Sequence, residues 1–134
     1  MDAWGTGSFD NDEALKWAGE GAGGDIEHVR RALAPLAESD GAPVDVRDAA
    51  RALAAAEAIA TLRGAPPDVL PDPIGAWIDT LPREFDETLL AQARAATDRV
   101  VTEPSALLGL WDEVGPDDAT SWRACVADLR NRLA

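Results

Sequence analysis

The chain has 134 residues and carries 25 Asp and Glu against 12 Lys and Arg, a formal net charge of −13 at pH 7. That length suits one domain with its own core, and a hydrophobic content of 46% excludes a disordered chain. The negative charge excludes unaided binding to nucleic acid or to an anionic membrane surface, because each phosphate contact requires a Lys or Arg. A basic protein partner is compatible with it.

Residues 1–9 are Gly-rich and irregular. Asp10 and Glu13 then have capping-box spacing, which predicts a helix through Leu15 and Trp17 that Gly19 and Gly21 stop. Asp25 caps a second helix whose apolar stripe is Ile26, Val29, Leu33 and Leu36, with Pro35 set to kink or end it. Asp45 starts the clearest helix, about residues 46–63. Its many alanines favour helix and let neighbours approach closely, which makes it the expected central helix. A Pro-rich connection leads to a short helix with Ile74, Trp77, Ile78 and Leu81. Asp86 caps a helix over 87–101 with Leu89, Leu90, Ala93, Ala96, Val100 and Val101 on its apolar face. Ser105 begins a short helix with Leu107, Leu108 and Trp111; Gly115 to Asp118 reads as a turn. The last helix carries Trp122, Val126, Leu129 and Leu133. No segment alternates with the period of a strand. The expected fold is all-α, one irregular multi-helix domain over residues 1–134, with the N-terminal segment packed on the helices.

Much of the acid sits where helices begin. Asp10, Asp25, Asp45, Asp86 and Asp117 are placed to accept orphan N–H groups and to complement helix dipoles. The negative charge therefore has a structural use before any partner is invoked.

Chemistry-bearing motifs are few. His28 is the single histidine, and nothing supplies the rest of a triad, so it reads as a rim residue near Asp25 and Arg31. Cys125 is the single cysteine, which excludes an internal disulfide and a Cys-based zinc cluster. It falls on or beside the apolar face of the last helix, where a thiol packs as a small hydrophobe. Asp10-Asn11-Asp12 opens like a calcium loop but fails at Leu15 and Gly21. The glycines of 19–24 lack the Gly-Lys-Ser/Thr ending of a phosphate loop. No catalytic residue, metal site or cofactor is therefore assigned. Met1-Asp2-Ala3-Trp4 lacks the features of a signal peptide, and no apolar run approaches the ~20 residues of a membrane span. The expected location is cytoplasmic.

The segment that stands out is Trp4 to Asp12, Trp-Gly-Thr-Gly-Ser-Phe-Asp-Asn-Asp. Glycines beside a tryptophan let the backbone turn sharply against the ring, and Phe9 directly before the cap suits a hydrophobic staple. It reads either as a plug on the core or as a binding surface of Trp4, Gly5, Gly7, Phe9, Asp10, Asn11, Asp12 and Trp17. This opening, with Ala14 and Trp17 following, resembles the bacterial domain-of-unknown-function family 4259. So do Ala55 to Pro66, Pro104 to Glu113, Trp122 and the closing Asp-Leu-Arg-Asn-Arg-Leu. Ser105-Ala106-Leu107 departs from the family pattern, in which an acidic residue is expected after the serine. The resemblance implies a bacterial origin and supports the helical fold; it implies no activity.

The composition and the missing catalytic set favour a non-enzymatic binding protein, of immunity or inhibitory type toward a basic partner. The alternatives are a carboxylate-based metal-dependent enzyme using Asp10 and Asp12, and an oligomeric helical adaptor.

Overall fold

The structure, a computed structural model, describes residues 7–20, 26–39, 43–67, 70–82 and 87–134. Seven α-helices and no strand occur among the described residues: α1 (Asp12–Glu20), α2 (Ile26–Ala37), α3 (Val46–Leu62), α4 (Asp72–Asp79), α5 (Glu87–Val100), α6 (Ala106–Val114) and α7 (Pro116–Arg132).

The axis of the molecule is α3, which touches every other helix. The reason lies in its sequence. From Ala52 to Ala60 every residue is buried, and six of these nine positions are alanine. A helix sheathed in methyl groups has no exposed face to defend and lets neighbours approach its backbone from all sides. Bulk comes from the surrounding helices, through Leu33 of α2, Ile78 of α4, Leu89 of α5 and Leu129 of α7. The α2–α5 and α2–α3 pairs form the most extensive contacts.

The ends of α3 are closed by local chemistry. Asp45 Oδ1 accepts from Asp48 N at 2.8 Å, as expected of an N-cap. At the other end Gly64, with φ +88°, donates to Thr61 O, and Ala65 donates to Ala60 O. This pair of bonds is a Schellman closure, which needs the left-handed conformation that glycine adopts freely.

Two aromatic groups pin the outer helices. Trp17 of α1 stacks on His28 of α2 at 4.7 Å and meets Trp77 of α4 edge-on at 5.2 Å. Trp111 of α6 stacks on Trp122 of α7 at 6.2 Å. A parallel bridge, Val44 to Ser105, ties the approach to α3 to the start of α6.

Four expectations need correction. The cap of α1 is Asn11, whose Oδ1 accepts from Ala14 N at 2.8 Å; Asp10 turns back instead and accepts from Gly7 N at 3.0 Å. An Asx side chain one residue nearer the helix reaches the third N–H more directly. Phe9 is consequently two residues before the cap, and its ring enters the core. Residues 115–118 are not a turn: Gly115 alone joins α6 to α7 at φ +146°, and Pro116 opens α7, where its missing N–H is no loss. Val101 lies one residue past α5 and is 38% exposed. The proposed caps Asp25 and Asp86 lie outside the described residues.

Candidate functional site

The residues singled out from the sequence separate into three places. Gly7, Phe9 and Asp10 line a notch of about 470 Å³, whose other walls are Glu57 of α3, Pro67, and Ala124, Cys125, Asp128 and Arg132 of α7. Asn11 caps α1 and Asp12 is exposed on its first turn. Trp17 is buried on another side of α1, where it lines a smaller cleft of about 280 Å³ with His28. Trp4 and Gly5 lie outside the described residues.

The base of the notch is an ion pair that sequence reading missed. Glu57 is 4% exposed. Arg132, in the last turn of α7, donates Nη1 to Glu57 Oε2 at 2.9 Å and Nη2 to Oε1 at 2.8 Å, a bidentate fork. The same guanidinium donates Nε to Asp128 Oδ2 at 2.8 Å and Nη1 to the Ala65 carbonyl at 3.1 Å. The hydrogen bond to Glu57 is the main influence that raises the Arg132 pKa above its ordinary value; desolvation opposes it, and the Glu57 and Asp128 charges add to it. The arginine is thus a permanent cation, and its fixed charge is what allows a carboxylate to sit inside the alanine helix.

The N-terminal segment lies against this pair. Ser8 Oγ donates to Glu57 Oε1 at 3.3 Å, and Phe9 beside it is 5% exposed. Gly7 is tightly placed, since a Cβ there would meet Asp10 Oδ2 at 2.8 Å. Phe9 is therefore packed in the core, while Gly7, Ser8 and Asp10 line the recess. One signal for Glu57 was available in the sequence. It is a lone acid amid alanines on the helix that had to be central, and such a residue needs a partner.

At the smaller cleft, His28 Nε2 is 2.7 Å from the Trp17 carbonyl, and its ring stacks on Trp17 and meets Trp77 edge-on. Glu20, Arg31, Asp48 and Arg51 complete the lining. Arg51 is paired with Glu13 at 2.8 Å. The histidine is half-buried and structural in its contacts, rather than a simple rim residue.

Among the described residues no group of three or more His, Cys, Asp or Glu could hold a metal ion, and no helix is long and apolar enough to cross a membrane.

The fold and notch define an all-α domain organised on a buried alanine helix, with one inward-facing carboxylate held by the C-terminal helix. The family model described as "Domain of unknown function (DUF4259)" matches residues 2–125, and the chain belongs to this family. No curated protein and no solved structure matches the chain.

Proposed function

We propose that this protein is a non-enzymatic binding protein that engages a basic partner, acting as an immunity-type or inhibitory protein in the cytoplasm. The observation that supports the reading is the disposition of charge. Arg30, Arg47, Arg51, Arg123, Arg130 and Arg132 pair with carboxylates of the same chain. Arg63, Arg94 and Arg99 donate to backbone carbonyls, and Arg31 also has an internal contact. By contrast Glu20, Glu113, Asp117 and Asp118 are exposed and form no ion pair among the described residues. These arginines are engaged by groups of the same chain while surplus anions face solvent, an arrangement that steers association with a positively charged surface.

The test is a pull-down with the tagged full chain at low and high salt, with the retained protein identified by its mass. The expected result is a basic protein held at low salt and released as salt screens the charges. Retention that does not change with salt, or retention of no basic protein, refutes the reading.

A further inference from the structure

The notch beside Glu57 is the largest of the recesses described above, and its charge does not balance. Glu57, Asp10 and Asp128 face it, against the single guanidinium of Arg132. Arg132 is already bonded to Glu57, Asp128 and the Ala65 carbonyl, so its donors are directed at the protein. The carboxylates retain acceptor capacity, because among the described residues Asp10 accepts one bond, from Gly7 N, and Asp128 one, from Arg132 Nε. Phe9, Pro67 and Ala124 supply apolar wall between these acids. The recess thus combines an apolar flank with surplus negative charge, and its volume of about 470 Å³ accommodates a long side chain.

From this we infer that the notch receives a guanidinium side chain, an arginine presented by the partner. The aliphatic stem lies along Phe9 and Ala124, and the planar head donates to Asp128 and Asp10. A guanidinium is favoured over an ammonium because its weaker hydration and forked donors suit two carboxylates lining one recess. This inference rests on the basic-partner reading and locates it.

The probe is N-acetyl-arginine-methylamide, with the citrulline analogue as a neutral control of nearly the same shape. Binding is followed by amide shifts in ¹⁵N-labelled full-length protein. The expected shifts are at Gly7 to Asp10, Cys125 and Asp128, with affinity at least about tenfold weaker for the citrulline analogue. Asp128→Asn should weaken arginine binding about threefold, as loss of one exposed charge does. Ala124→Trp, at an exposed position on α7, keeps the charge and fills the notch; it should abolish these shifts while the rest of the spectrum stays folded. Asp117→Asn/Asp118→Asn removes more charge elsewhere and should leave binding within about twofold.

Equal binding of the two analogues, or arginine shifts that survive Ala124→Trp, overturns the inference. If a basic partner is captured by both the parent chain and the Ala124→Trp variant, the notch assignment fails and the basic-partner reading stands. If the arginine probe binds in the notch but no basic protein is retained, the reading fails and the notch remains a guanidinium site.

Discussion

Truncating Arg132 to alanine should destabilise the protein far more than truncating Glu57. The Glu57 carboxylate, with its side chain 5% exposed, would lose both forks of Arg132 and keep only the Ser8 hydroxyl at 3.3 Å. Stranding a buried charge in this way costs roughly 3–5 kcal/mol. The Arg132 side chain is itself 16% exposed and borders the notch, so water can follow it in, which places the loss near about 3 kcal/mol. For a chain of this length that corresponds to a fall in Tm of about 12 °C. Glu57→Ala is different. Arg132 keeps Asp128 and the Ala65 carbonyl, and alanine suits the middle of a helix, so the loss should be about 1 kcal/mol. The double variant should then lose about 2 kcal/mol less than the sum of the two single losses, the coupling expected of contacting residues. Urea unfolding followed by far-ultraviolet circular dichroism measures all four corners of the cycle. Equal losses for the two single variants, or strict additivity in the double, would refute the argument that a fixed cation is what keeps Glu57 inside.

Arg132 also carries a pH prediction. Its folded pKa is raised, chiefly by the hydrogen bond to Glu57, so the stability it contributes is complete below the ordinary arginine value and is lost only above it. The stability gap between the parent and Arg132→Ala should therefore stay flat between roughly pH 7 and pH 10; a gap that shrinks across that range contradicts the assignment. Gly64→Ala should cost about 1 kcal/mol, read as a shift in urea midpoint, because the φ of +88° is strained for any other residue while open space surrounds the new methyl group. Ala55→Leu, at a position with no exposed surface, should cost about 1–3 kcal/mol by forcing α3 away from its neighbours; a thermal midpoint equal to that of the parent would show that the alanine sheath is not tightly packed. His28→Ala should cost about 1–2 kcal/mol through loss of the stack on Trp17 and of the bond to its carbonyl.

The helical class and the central place of α3 were legible in the sequence because they rest on local signals. Asp45 and Ser105 do cap α3 and α6, the alanine run does become the axis, and Pro35 stands two residues before the last residue of α2. The misassigned details are those that neighbouring geometry decides. Asn11 takes the cap of α1 because Asp10 is diverted to Gly7 N, and Pro116 joins α7 because a first-turn proline is compatible with a helix. The candidate site was half visible. Gly7, Phe9 and Asp10 lie on the notch, but Arg132 and Glu57 are 75 positions apart, and no local pattern announces their pairing. Trp17 was grouped with that segment by proximity in sequence, whereas the turn of α1 carries it to His28 on another face.

The division of the described tryptophans into two groups has an optical consequence. The chain has no tyrosine, so ultraviolet-excited emission comes almost wholly from its five indoles. Trp17 lies flat against an imidazole, a known quencher of indole emission, while Trp111 and Trp122 lie nearly parallel and couple their electronic transitions. Emission intensity thus watches the union of α1, α2 and α4. The near-ultraviolet dichroism of the paired indoles watches the union of α6 and α7, so one unlabelled sample reports separately on two seams of the same domain.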